Sequence, residues 1–276
     1  MNKLPISIVI PCSNDVLVER CIRSIDEDVE IVVSLNNPSQ KVKNILKKFP
    51  DVVTVETKKR GIALAYNNGI SKAKNDWILL MDSDCIFEKR AIRRMWELAS
   101  NFKVIKGRIV FLSSSFSSKI ISNLREYTTC DTVNAYSPPL LFDKEIITKI
   151  GYYFHPNLVW SEDADFNNRV QRAGIKIGFA SEGKIYHKSL TLKEDLRSAF
   201  YYGAGRQIGK EIGVYKPHSV KSFLKNIILS FVNSYQILIR KRSILVSGYY
   251  FFLWNISFRL GTFVQRYFKV IKYEKI

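Results

Sequence analysis

The first 85 residues alternate short apolar runs with amphipathic segments, and no other feature of the chain restricts its fold as much. Ile6, Ile8, Val9 and Ile10 form a β-branched run closed by Pro11, and residues 16–25 place apolar side chains at helical spacing. Ile31-Val32-Val33 is a second run that ends in the turn cluster Asn36-Asn37-Pro38-Ser39, and within residues 41–49 Val42, Ile45, Leu46 and Phe49 share one helical face. Residues 52–55 read as a third strand and residues 62–73 as a third helix, and the apolar strand 77–81 stops at Asp82-Ser83-Asp84. Strands and helices in such close alternation predict an α/β fold whose central sheet is mainly parallel and covered on both faces.

In sheets of this kind ligands gather outside the carboxyl ends of the strands. The polar clusters at 11–14, 36–39 and 82–84 all follow strands, so they are expected to face one crevice. Further on, the pattern predicts a helix over 89–98, a strand over 104–112, a serine-rich loop over 113–118 and a helix over 144–150. A helix opening at Ser161-Glu162-Asp163-Ala164-Asp165 follows, then a strand over 175–179, a turn at Glu182-Gly183 and a short strand closed by Tyr186-His187.

The chain has 276 residues, 46% of them hydrophobic, enough for a sizeable core, which excludes wholesale disorder and a disulfide-stapled miniprotein. Cys12, Cys21, Cys85 and Cys130 contain no C-x-x-C pair, so their spacing points to neither a zinc ribbon nor a redox motif. No export signal is readable near Met1. From Gly183 onward there are 17 lysines and arginines against 4 acids, whereas residues 1–182 hold 26 against 21, so the net charge of +18 is concentrated toward the C-terminus.

The basic region also holds two uncharged stretches, residues 226–239 and 243–258, separated by Arg240-Lys241-Arg242. Both are shorter than the roughly 20 apolar residues that span a bilayer. Basic residues and aromatics around short apolar helices suit a helix pair in the interface of an anionic membrane. A buried helical hairpin and a single tilted span over 243–264 are the alternatives. Residues 1–215 are expected to form the catalytic domain, and residues 216–276 a helical, membrane-associated extension. Because the charge lies beside long apolar stretches and does not interleave with single aromatics, a lipid partner is favoured over nucleic acid.

Three groups of residues could carry chemistry. Asp82 and Asp84, at i and i+2 after a buried strand, can converge on a hard divalent cation, although acids at strand ends are also common without one. Ser161 could cap the helix that Glu162, Asp163 and Asp165 open, with the acids favouring its positive end; three acids in four residues exceed that need, and one could serve as a general base. His187 could be structural, or could join Asp84 if its strand end returns to the same crevice.

In order along the chain, Ile8-Val9-Ile10-Pro11-Cys12-Ser13-Asn14, Asn36-Asn37-Pro38-Ser39, Gly61 to Gly69, Leu80-Met81-Asp82-Ser83-Asp84, Lys149-Ile150-Gly151, Glu162-Asp163-Ala164-Asp165 and Tyr186-His187 resemble family 2 of the glycosyltransferases over about residues 5–215. The resemblance implies a GT-A fold and sugar transfer from a nucleotide-diphosphate donor. In that frame Pro11, Cys12, Ser13, Asn14 and Asn36 hold the base and ribose, Asp82 the ribose or the metal, and Asp84 and His187 a Mn2+ or Mg2+ ion. Asn67 and Ser83 fall in the same donor motifs. Asp163 takes the place of the catalytic base, with Trp160 and Glu162 on the acceptor or sugar side.

Two positions depart from the family pattern. Asn36 stands where many members have an aspartate, and Tyr66 where an arginine commonly precedes the asparagine; Arg206 is the candidate replacement for the lost diphosphate contact. The expected activity is inverting transfer to a lipid-linked or glycan acceptor at the cytoplasmic face of a membrane. A retaining transferase or nucleotidyltransferase, and a non-enzymatic nucleic-acid binder or membrane scaffold, are the alternatives.

Overall fold

The computed structural model describes residues 3–57, 59, 61–126, 128–129, 133–216 and 245–272. Its strands are β1 (Ile6–Cys12), β2 (Glu30–Asn36), β3 (Val53–Thr57), β4 (Trp77–Leu80), β5 (Cys85–Phe87), β6 (Val104–Phe111), β7 (Leu140–Asp143) and β8 (Ile177–His187). The helices are α1 (Val18–Arg23), α2 (Gln40–Leu46), α3 (Ile62–Lys72), α4 (Ala91–Trp96), α5 (Phe116–Glu126), α6 (Ile147–Ile150), α7 (Glu162–Arg172), α8 (Leu192–Glu211) and α9 (Leu245–Phe268). The chain divides into two compact units. Met1–Val110, Thr129–Pro156 and Glu162–Lys188 form one, and Phe111–Thr128, Asn157–Ser161 and Ser189–Ile276 the other. The second unit thus draws on segments from both sides of residue 215.

The first unit carries the sheet, in the order β3-β2-β1-β4-β7-β6-β8-β5. β3, β2, β1 and β4 run parallel, as the alternating pattern predicts. Beyond β4 the pairing is antiparallel, β4 with β7, β7 with β6, and β5 with β8. Ile6 to Ile10 of β1 are inaccessible to solvent on both sides, the condition of a central parallel strand.

On one side of the sheet an aromatic ladder fills the core. Tyr66 packs on Phe154 at 5.1 Å, Phe154 stacks on Phe166 at 5.3 Å, and Phe166 meets Phe142 at 5.3 Å between ring centres. Each buried ring contributes roughly 1.5–3 kcal/mol. Because Tyr66 lies on α3, Phe142 on β7 and Phe166 on α7, the ladder fixes α3 and α7 to the sheet.

Arg169 adds a polar clamp. It pairs with Asp165 at 2.8 Å within α7, donates to the carbonyls of Ile150, Tyr152 and Tyr153, and lies 3.8 Å above the Tyr152 ring.

Two expectations are corrected. The serine-rich loop extends only to Ser115; Ser115 Oγ accepts the Ser118 N–H at 3.2 Å and starts α5 at Phe116. Glu182-Gly183 is no turn, since β8 runs unbroken from Ile177 to His187. Gly183 is needed there for close packing, because a Cβ would come within 2.6 Å of Met95 Cγ on α4.

In the second unit Thr191 and Glu194 form a capping box that starts α8. α8 and α9 pack through glycine: a Cβ on Gly203 would collide with the Phe258 carbonyl, and one on Gly261 with the Phe200 carbonyl. Ser257 and Thr262 of α9 donate to the carbonyls of Leu196 and Gly203 at 2.7 and 3.0 Å. Asp195 is fully buried and takes a salt bridge from Arg125 and a hydrogen bond from the Tyr250 hydroxyl.

The uncharged stretch 226–239 lies outside the described residues, and α9 contains most of the second stretch. Among the described residues no helix is long and apolar enough to cross a membrane, so a single span over 243–264 is not supported.

Candidate active site

The loop after β4 is held from three directions. Ser83 Oγ donates to Asp15 Oδ2 at 2.8 Å, tying it to the loop after β1, and Cys21 Sγ donates to the Asp82 carbonyl at 3.5 Å. The buried Tyr66 hydroxyl donates to Asp82 Oδ1 at 2.9 Å and lies 3.0 Å from Ser137 Oγ. Asp82 keeps part of its surface open, yet protein surrounds the carboxyl on most sides. That burial, reinforced by the charge of Asp84, pushes its pKa up to about 6, while the Tyr66 hydrogen bond and His187 act the other way and Asp163 adds a smaller upward push.

The register of β5 with β8 brings His187 to this loop. Cys85 pairs with His187 and Ile86 with Tyr186, so the end of β8 returns beside Asp84. His187 Nε2 lies 3.5 Å from Asp84 Oδ2, and Lys188 Nζ lies 3.6 Å from the same oxygen. His187 Nδ1 is 2.8 Å from the Lys188 carbonyl, a contact in which a protonated Nδ1 leaves Nε2 as a ligand atom toward Asp84.

α7 opens with three carboxylates that the fold treats differently. Asp165 is committed to Arg169. Glu162 is buried at the helix start. Asp163 Oδ1 accepts the Ala164 N–H at 2.7 Å, and burial raises its pKa to about 6 against the lowering influence of that bond and of Lys106. Lys106, only 1% exposed, donates to the carbonyls of Tyr136 and Pro138. Ser161 does not cap the helix, because its buried Oγ has no hydrogen-bond partner.

Asp84, His187 and, more weakly, Asp163 therefore all lie within electrostatic reach of Asp82, in the loop after β4. Pro11 and Cys12 end β1, Ser13 and Asn14 are exposed beyond it, and Asn36 ends β2 with its amide donating to the Gly61 carbonyl at 3.0 Å. Asn67 exchanges two hydrogen bonds with the backbone of Phe154, at 2.7 and 3.2 Å, so its amide serves the fold.

Trp160 and Arg206 belong to the second unit. Trp160 stacks on Tyr201 at 5.2 Å, and the Arg206 guanidinium lies 3.6 Å above the Tyr215 ring.

Sequence reasoning missed Lys106, Lys188, Cys85 and the bond from Tyr66. A lysine inside the apolar strand that starts at Val104 is the one readable signal among them, since such a position is buried and a lysine there must be satisfied.

Residues 7–143 match the profile of glycosyl transferase family 2. The chain carries a family 2 glycosyltransferase domain. Among curated proteins none matches the glycosyltransferase significantly. Solved structures of the same fold do. Glucosyl-3-phosphoglycerate synthase from Mycobacterium tuberculosis, in complex with Mn2+, uridine diphosphate and phosphoglyceric acid, aligns with a TM-score of 0.57 at 16% identity, over 78% of this chain and 80% of its own. S. aureus TarS 1-349 aligns with a TM-score of 0.54 at 13% identity, over 95% and 91%. The fold of the glycosyltransferase is thus GT-A.

Proposed function

We propose that this glycosyltransferase is an inverting enzyme that moves a sugar from a nucleotide-diphosphate donor to a lipid-linked or glycan acceptor at the cytoplasmic face of a membrane. What supports the reading is one observation: Asp163, which is not the α7 acid paired with Arg169, lies within electrostatic reach of Asp82, on which Asp84 and His187 also act.

In this reading residues 11–14, Asn36, Asp82 and Ser83 receive the base and ribose. Asp84 and His187, an oxygen and a nitrogen donor 3.5 Å apart, suit a divalent cation such as the Mn2+ of the mycobacterial synthase complex. Such a cation, when bound, supplies positive charge that stabilises the departing diphosphate.

Asp163 takes the proton from the acceptor hydroxyl as its oxygen bonds to the anomeric carbon. The bond from that carbon to the diphosphate breaks on the opposite face, which inverts the configuration. With its pKa near 6, Asp163 is both ionised at neutral pH and basic enough to take the proton. Glu162, the neighbour of Asp163 in sequence, is assigned to the acceptor or sugar side.

Membrane attachment is supported by α9. Tyr249, Phe252, Ile256, Leu260, Phe263 and Tyr267 are exposed and recur at spacings of three and four, an apolar stripe along one side of the helix. Arg259 and Arg266 lie on the same helix. An exposed apolar face with nearby cations fits the interface of an anionic bilayer.

The test is a thermal-shift screen of purified protein against nucleotide sugars with and without Mn2+, followed by NMR of the product made from the donor that binds. The reading expects cation-dependent stabilisation by one donor class and an inverted anomeric centre. A retained configuration contradicts it.

A further inference from the structure

Cys85 stands where a core residue of β5 meets the cation subsite. It follows Asp84 directly, and the antiparallel register sets it opposite His187. Cross-strand partners project to the same face of a sheet, so the sulfur and the imidazole share one side. One ligand atom from each of Asp84, Cys85 and His187 can be chosen so that all lie within 4.8 Å of one another, and Cys85 Sγ is 3.8 Å from Asp84 Oδ1. The contrast with Cys21 is informative. Cys21 is equally buried but spends its thiol on the Asp82 carbonyl, whereas the Cys85 thiol faces a carboxylate.

We infer that Cys85 is a third, thiolate ligand of the divalent cation and biases the subsite toward Zn2+ over Mg2+. The inference rests on the proposed roles of Asp84 and His187. A cation seated between those two side chains is within reach of the sulfur. On binding, the S–H bond breaks, the proton passes to solvent, and the sulfur's electron pair forms the bond to the cation. Lys188, whose ammonium approaches the same Asp84 oxygen, moves aside toward solvent, where half of its side chain already lies. A soft sulfur donor favours Zn2+, and an oxygen-seeking octahedral Mg2+ gains least from it.

The experiment is a Co2+ titration of the full-length, metal-stripped protein followed by absorption spectroscopy. Wild type is expected to show a near-ultraviolet sulfur-to-cobalt charge-transfer band together with visible ligand-field bands. Cys85→Ser is expected to lose the first and keep the second, while Cys21→Ala keeps both. Zn2+ affinity of Cys85→Ser should fall at least about tenfold, the loss seen when even an outer-shell partner of a metal ligand is removed, with Mg2+ affinity changed less. Circular dichroism of Cys85→Ser and of Cys85→Ala checks that the fold persists. If Co2+ binds without the charge-transfer band, or the band survives both Cys85 variants, the role of Cys85 is overturned and that of Asp84 and His187 stands. If Co2+ does not bind, or still binds after Asp84→Asn and His187→Ala are combined, both assignments fall.

Discussion

Asp163, at the start of α7, raises the proton affinity of Asp82, in the loop after β4, although the two come from different halves of the sequence. Their proximity follows from the core. Phe166 of α7 stacks into the aromatic ladder that ends at Tyr66, and the Tyr66 hydroxyl holds Asp82. One packed column therefore positions both carboxylates.

The pH dependence of transfer follows from that burial. Both carboxyl groups hold their protons to about pH 6, above the ordinary aspartate range, because the charged form is desolvated. The base works only when deprotonated, so kcat/KM is expected to fall as pH drops through about 6 and to level off above it. A rate profile from pH 4.5 to 8 checks this; an acid limb centred near the ordinary value, about 3.9, speaks against a buried base.

Tyr66→Phe removes the hydroxyl that lowers the pKa of Asp82 while keeping the ring in the ladder. The Asp82 pKa should rise further, weakening donor binding most at acidic pH. Stability should drop by about 0.5–1.5 kcal/mol for the lost hydrogen bond. Calorimetric donor binding at two pH values and urea unfolding measure these effects. Equal binding by both proteins at both pH values contradicts the positioning role.

In the second unit, Arg125→Met leaves the fully buried Asp195 without its cation. Breaking such a pair costs about 3–5 kcal/mol. Thermal unfolding of wild type and variant decides, and a loss below about 1 kcal/mol, the range of exposed pairs, shows that the pair is not working as a buried one.

For α9, Leu260→Glu combined with Phe263→Glu places two anions on the exposed stripe, away from the glycine contacts with α8. Co-sedimentation with vesicles rich in phosphatidylglycerol should fall severalfold, with circular dichroism unchanged. Undiminished binding contradicts the interfacial role.

The legibility of the sequence varied with the kind of signal each segment carries. β1 to β4 were readable, because burial on both faces makes each strand a continuous apolar run that ends at a polar cluster. The antiparallel half was harder. Gly183 looks like a turn and so breaks β8 in two on the sequence pattern, whereas its missing Cβ is what lets Met95 approach.

The candidate site stands out in the sequence at Asp82, Asp84 and Asp163, acids that are costly to bury without a partner. It was not legible where the role depends on a partner remote in sequence. Asn67 exchanges hydrogen bonds with the backbone of Phe154, and the Tyr66 hydroxyl donates to Asp82, partners that spacing along the chain does not reveal. The thiol of Cys85 gains its neighbours only through the register with His187.

The most direct test of the account compares Asp163→Asn with wild type in two assays on the same preparation, donor binding by calorimetry and sugar transfer under single-turnover conditions. Donor affinity is expected to stay within about threefold while transfer falls by 10²-fold or more, the usual range for a lost general base. Transfer at the wild-type rate, or loss of donor binding in step with transfer, contradicts the assignment of Asp163 as the base.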